Sequence, residues 1–158
     1  MRSYKKSLSN DGSYESKNPD YFSPDRMIML DGVLQSRSKG EEVYHESLVH
    51  PVMFAHENPK RVAIIGGGEG ATLREVLKHK TVETVIMVEI DEVMVQVCKQ
   101  YIPSWSDCSD ILGSANSCFD DPRADVFYED AIGWFLQRYG QDVEHKAEPL
   151  DVIIMDAL

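Results

Sequence analysis

Arg61-Val62-Ala63-Ile64-Ile65-Gly66-Gly67-Gly68-Glu69-Gly70 decides the fold. An apolar run stops in four glycines with one carboxylate among them, and twenty residues beyond Glu69 a second apolar run ends in Glu89. Strand, glycine turn, helix, strand and acid is the pattern of an α/β unit that binds a nucleotide or nucleoside. Gly66, Gly68 and Ala71 fit the dinucleotide spacing GxGxxA, and Gly66, Gly68 and Gly70 equally fit the GxGxG of S-adenosyl ligands. Glu69 narrows the choice. Like charges at about 4 Å and an effective dielectric near 20 repel by roughly 4 kcal/mol. A loop holding Glu69 therefore suits a nucleoside that is neutral or positive, not a pyrophosphate.

The same alternation continues on both sides. Strands are expected over 62–65, 84–89, 124–128 and 152–155, and helices over 71–79, 91–101 and 131–139, with Asp91 as an N-cap. The run Val152-Ile153-Ile154-Met155 is apolar at every position, which predicts a strand covered on both faces of a parallel sheet. Upstream, Asp31-Gly32 between Met27–Leu30 and Val33–Gln35 predicts a hairpin, because its primed turn needs positive φ. A helix is expected over 42–55, with Tyr44, Leu48, Val49, Val52 and Met53 on its apolar face and a kink at Pro51. The fold class is thus α/β: a Rossmann-like, methyltransferase-type parallel sheet, partial, preceded by a short β-hairpin. Residues 1–25 read as a loose polar tail, 26–40 as a hairpin left from a small N-terminal β domain, and 41–158 as the first half of the α/β domain. The chain reads as a fragment, since no helix follows the last strand.

Ligands of such sheets bind outside the carboxyl ends of the strands. Glu69, Glu89, Asp130 and Asp156 all fall there, so one rim gathers four acids, and some of their pKa values should rise. Glu89 offers two acceptors to ribose hydroxyls, and Asp130 one to an adenine amino group as well as capping the helix from Ala131. Such a rim favours a cationic ligand and gives Asp156 the makings of a general base. Tyr44 and His45 could line a wall that receives an amine.

Composition agrees. With 27 Asp and Glu against 16 Lys and Arg, the net charge of −11 argues against nucleic acid and anionic membranes as partners. No run reaches the roughly 18 apolar residues of a membrane span, and no secretory signal is visible, so a cytoplasmic location is expected. Cys98, Cys108 and Cys118 lack CxxC spacing and are read as thiols, with neither a zinc site nor a disulfide. His50, His56, His79 and His145 are read as structural or exposed.

The ordered segments Leu30-Asp31-Gly32-Val33-Leu34-Gln35, Glu42-Val43-Tyr44-His45-Glu46, Gly66-Gly67-Gly68-Glu69-Gly70, Val88-Glu89-Ile90-Asp91, Asp120-Asp121-Pro122-Arg123 and Asp151-Val152-Ile153-Ile154-Met155-Asp156 resemble the polyamine aminopropyltransferases, the spermidine and spermine synthase family. The resemblance implies transfer of an aminopropyl group from decarboxylated S-adenosylmethionine, as co-substrate, to putrescine or spermidine. Methylthioadenosine is then the co-product, with no resident cofactor and no metal. It implies that Gln35, Gly66, Gly68, Glu89, Asp130 and Ala131 hold the nucleoside. Tyr44, His45 and Glu69 would meet the amines, and Asp156 would be the base. It also implies a homo-oligomer, such as a dimer, for the full-length protein. Glu69 stands where the family commonly has Asp, similar to thermospermine synthase-like members, which points to an acceptor longer than putrescine. The chain by itself is expected to be inactive. The alternatives are an S-adenosylmethionine-dependent methyltransferase and a non-catalytic module.

Overall fold

The computed structural model describes residues 25–157 except 112, 114 and 145, together with the backbone of two short strands nearer the N-terminus. It divides into two compact units, residues 1–39 and 40–158.

In the first unit β1 (Ser7–Leu8) pairs antiparallel with β2 (Tyr14–Glu15). The rest of the expected loose tail before Asp25 lies outside the described residues. The predicted hairpin is present as β3 (Met27–Leu30) and β4 (Val33–Arg37). Asp31 and Gly32 turn it with φ of 51° and 80°, the positive pair that a primed turn requires. Asp25 closes the open end by accepting from Ser38 Oγ and the Lys39 amide.

The second unit begins with α1 (Glu41–Ala55) and continues through β5 (Arg61–Gly66), α2 (Ala71–Leu77), β6 (Thr84–Glu89) and α3 (Glu92–Tyr101). It then runs through β7 (Ala124–Tyr128), α4 (Ala131–Tyr139) and β8 (Val152–Asp156). The four strands form one parallel sheet in the order β7-β6-β5-β8. The order reverses between β5 and β8, and the crevice at such a switch point is where open α/β sheets take their ligands. The glycine loop leaves the end of β5 there, and Gly66 pairs with Asp156 across the crevice.

Burial follows the two-residue period of the strands. Val62, Ile64, Val85, Met87, Val152 and Ile154 face one side, against Val49 and Met53 of α1, Leu73, Val76 and Leu77 of α2 and Val95 of α3. Ile86 and Val88 face the other, against Trp134 of α4. The fully apolar run of β8 is covered on one face only among the described residues: Ile153 and Met155 are more than half exposed, because α4 packs over β6 and not over β8. The described residues thus supply the cover for one of the two faces expected to be buried. In α1 the buried stripe is Glu41, His45, Val49 and Met53 at four-residue spacing; of the apolar face read from sequence it keeps Val49 and Met53, while Tyr44 and Val52 are exposed.

The cysteines also differ from their reading. Cys108 and Cys118 are joined in a disulfide, and Cys98 alone is a free, buried thiol. The loop after α3 doubles back through an antiparallel bridge between Asp107 and Ser117, with the Cys108 amide donating to Asn116 O. That fold brings two cysteines ten residues apart to a Cα separation of 5.1 Å, which their spacing in the chain does not encode. Burial, with Glu69, Glu89 and Asp91 adding to it, pushes the Cys98 thiol up to about 12. The Asp121-Pro122-Arg123 segment is structural: Asp121 is buried and accepts from the Arg123 amide and guanidinium, while Arg123 reaches Leu77 O.

Candidate functional site

Two glycines let the loop after β5 enter the crevice. Gly66 has φ of 82°, and a Cβ there would stand 2.5 Å from Asp156 O; Gly70 has φ of 86° and a Cβ would meet Ser106 and Phe119 below 3 Å. Any side chain at either position must both strain the backbone and displace its neighbour. The Gly67 amide donates to Asp156 O at 3.1 Å, which locks the loop to the end of β8. On its other flank Gly68 lies against the Glu89 carboxylate, where a Cβ would be 3.1 Å from Oε2. The loop is therefore a floor between Asp156 on one side and Glu89 on the other.

At the β8 side the acids interlock with side chains from α1 and α2. Tyr44 Oη donates to Asp156 Oδ1 at 3.3 Å, and Thr72 Oγ1 donates to Asp156 Oδ2 at 2.5 Å. His45 is fully buried, with Nε2 3.0 Å from Glu69 Oε1 and 4.0 Å from Asp156 Oδ2. Its Nδ1 lies 2.6 Å from Glu41 O and 3.1 Å from Glu41 Oε2. Glu41 in turn accepts from both terminal nitrogens of Arg74 at 3.2 and 3.0 Å. Arg74 Nε bonds Glu75, and its Nη1 bonds the Trp105 carbonyl.

These contacts set the electrostatics. Burial raises the Asp156 pKa, the charge of Glu69 raises it further, and the Thr72, His45 and Tyr44 interactions offset only part of this. Burial alone would lower the His45 pKa, but hydrogen bonds to Glu41 and Glu69 and the charges of Glu69 and Asp156 lift it to about 9. Burial would raise the pKa of Glu41, yet His45 and Arg74 hold it below the usual range. The Tyr44 hydroxyl is pushed up by burial and by Asp156. A carboxylate with a raised pKa is equipped to take a proton from a bound group.

At the β6 and β7 ends the acids are tied to backbone instead. Glu89 Oε1 accepts from the Asp91 amide at 2.9 Å, which leaves Oε2 beside Gly68 with no hydrogen bond among the described residues. Asp130 Oδ2 caps α4 by accepting from the Gly133 amide at 2.7 Å, and Ala131 follows as the first helical residue. Each acid thus keeps one oxygen for something else.

Gly66, Gly68, Glu69, Tyr44, His45 and Asp156 come together, with Glu89 across the loop. Gln35 lies in the hairpin unit on β4, where its side-chain amide donates to Val33 O at 3.5 Å. His45 is placed otherwise than a wall that receives an amine: both ring nitrogens already face acceptors. Three site residues went unread in the sequence. Glu41 carried a signal, since it stands four residues before His45 on one helix face. Thr72 and Arg74 carried none. Ligand atoms of His45, Glu69 and Asp156 lie within 4.8 Å of one another, close enough to share a metal ion. A proton on Nε2 joins ring and carboxylate just as well.

No helix among the described residues is long and apolar enough to cross a membrane. Comparison with known proteins gives consistent relatives. The spermine/spermidine synthase domain matches residues 41–158. Polyamine aminopropyltransferase 1 of Hyperthermus butylicus is 47% identical over 131 residues, 83% of this chain and 40% of that protein. The polyamine aminopropyltransferase of Thermococcus onnurineus is 46% identical over 84% of this chain and 40% of its own length. The crystal structure of spermidine synthase from Thermotoga maritima superposes with a TM-score of 0.68 at 39% identity, over 84% of this chain and 40% of that one. A spermidine synthase in complex with the transition-state analogue AdoDATO gives 0.69 at 38% identity, over 84% of this chain and 39% of that one. The chain thus spans about 40% of the length of the relatives it matches.

Proposed function

The chain belongs to the spermine/spermidine synthase family, and from that premise we propose that the whole protein transfers an aminopropyl group from decarboxylated S-adenosylmethionine to a polyamine. The observation that carries this reading is the pair Glu69, on the glycine loop, and Asp156, beside that loop at the end of β8, both largely buried at the switch point and both facing His45. A donor with a carboxylate would bring a third anion to this pair, at a cost of roughly 4 kcal/mol per contact near 4 Å. Removing that carboxylate removes the conflict and leaves a sulfonium and an ammonium, both suited to an acidic rim.

In this reading Glu89 Oε2 and Asp130 Oδ1 take the ribose hydroxyls and the adenine amino group, each held in place by its other oxygen. Ala131, at the start of α4, lies beside the adenine. The acceptor amine lies at Asp156 under the Tyr44 hydroxyl. Its nitrogen attacks the propyl carbon bound to sulfur. The N–C bond forms, the C–S bond breaks, and the electron pair goes to sulfur, which leaves as a neutral thioether in methylthioadenosine. The proton released from nitrogen passes to Asp156, whose raised pKa suits it to receive one. Holding nitrogen and carbon in line supplies much of the acceleration.

The test is donor choice. The whole protein is offered decarboxylated S-adenosylmethionine or S-adenosylmethionine, with putrescine and spermidine as acceptors, and methylthioadenosine is measured. Turnover with the decarboxylated donor, and binding at least tenfold tighter than that of the carboxylated one, is expected. Preference for the carboxylated donor, or a methylated product, would overturn the reading. Glu69 in place of a shorter acid favours spermidine over putrescine in the same assay.

A further inference from the structure

We propose that Glu41, clamped by Arg74, is a positioning residue that fixes His45 as a doubly protonated imidazolium against Glu69, and that this buried cation keeps the amine at Asp156 unprotonated for attack. The second half rests on the aminopropyl-transfer reading; the first half does not.

The proton count follows from geometry. His45 Nδ1 faces only acceptors, the Glu41 carbonyl and carboxylate, so it carries a proton. Nε2 faces the Glu69 carboxylate at 3.0 Å. A neutral ring would need Glu69 to supply that proton as a carboxylic acid, while a charged ring supplies it directly to an anion. Glu41 tips the balance to the charged ring, because it places a carboxylate at the opposite nitrogen. The charged groups facing His45 from every packed element are Glu41 on α1, Glu69 on the glycine loop and Asp156 on β8, with the Tyr44 hydroxyl beside the ring and Arg74 of α2 behind Glu41. The pKa of about 9 agrees with this arrangement.

The consequence concerns the acceptor. An alkylammonium cannot attack; the nitrogen needs its lone pair. Two bare carboxylates at the reacting end would hold the amine in its charged form. An imidazolium 4.0 Å from Asp156 and in contact with Glu69 cuts the net charge of the trio from −2 to −1, and so weakens the hold on an ammonium there. More distant amines of the chain stay charged and answer to the remaining acidic rim. Arg74 acts one step further out. It keeps Glu41 in register by two hydrogen bonds and is itself braced by Glu75 and the Trp105 carbonyl.

The experiment compares the whole protein with Glu41→Gln and His45→Gln. Nitrogen-15 NMR of the His45 ring, read without turnover, is expected to show both nitrogens protonated at pH 7 in the unmutated protein. In Glu41→Gln the ring titration is expected to fall by a unit or more. A neutral His45 ring at pH 7, or a titration that Glu41→Gln leaves in place, would overturn the positioning role. Turnover then reads the second half. Glu41→Gln is expected to lower kcat more at pH 8.5 than at pH 7, by about threefold or more relative to the unmutated protein at the higher pH, where most of the rings have discharged, with KM for the nucleoside donor unchanged. His45→Gln is expected to be slow at both pH values. A kcat in Glu41→Gln depressed equally at both, or a raised donor KM, marks a merely structural role and overturns it. Should the unmutated protein make no methylthioadenosine, the transfer reading fails while the NMR result stands by itself.

Discussion

The acids at the β8 side of the glycine loop and those at the β6 and β7 side solve different problems. Asp156, Glu69 and Glu41 are locked to one another through His45, Tyr44, Thr72 and Arg74, so each carboxylate's charge is shared with another side chain. Glu89 and Asp130 lean on backbone amides by one oxygen and keep the second available. The first region is a coupled electrostatic network, in which removing one member shifts the others. The second is a pair of independent receptors, in which each change stays local. On the proposed aminopropyl-transfer reading, chemistry that must move a proton falls to the first, and recognition of a neutral ribose and base to the second.

The largest effect is expected from Asp156→Asn, which keeps the shape and the Tyr44 contact but cannot take a proton. If the coupled region does the chemistry, kcat for methylthioadenosine formation falls by about 10²- to 10⁴-fold with donor affinity little changed. Folding stability should not drop, because the change also removes the repulsion between Asp156 and Glu69 that raises the Asp156 pKa. A kcat within threefold of the unmutated protein would break the division of labour between the two regions.

Arg74→Met probes the coupling itself. It leaves the shape of a long side chain but strips Glu41 of its two guanidinium bonds and the Trp105 carbonyl of its donor. Losing one partner of a buried ion pair costs about 3–5 kcal/mol, read as a shift of the urea midpoint. A loss below about 1 kcal/mol, typical of exposed pairs, would show that the network is not coupled.

The two regions were not equally legible in the sequence. Glu89 and Asp130 could be placed because their geometry is local: a strand end two residues before the amide it accepts, and an N-cap three residues before its partner. The parallel sheet was readable for the same reason, since the apolar runs of β5, β6 and β8 each carry their own signal. The coupled region joins residues far apart in the chain: Glu41 with Arg74, Thr72 with Asp156, and Tyr44 with Asp156 across 112 positions. Residue type could name Tyr44, His45 and Asp156 as candidates, but not what each would touch. The face of α1 was read correctly at Val49 and Met53 and missed at its start, because a buried stripe that opens with Glu41 and His45 looks polar to a periodicity count. The disulfide escaped because the turn that closes it is a loop bridge, not a spacing motif.

Glu89→Gln gives the smallest and most discriminating effect. The amide oxygen can still accept from the Asp91 backbone, so the turn into α3 persists and the loss of stability should stay well below that of Arg74→Met. The other carboxylate oxygen becomes an NH₂ group, a donor facing ribose hydroxyls that no longer find a charged acceptor. Hydrogen bonds to a charged group contribute about 1.5–3 kcal/mol, so affinity for methylthioadenosine, measured by calorimetry, should fall roughly ten- to a hundredfold. The His45 ring should titrate as before, because Glu89 makes no contact with it. A large loss of stability, or a shifted His45 titration, would mean that the receptor side is wired into the network after all. Unchanged affinity would mean that the free oxygen of Glu89 does not read the ribose.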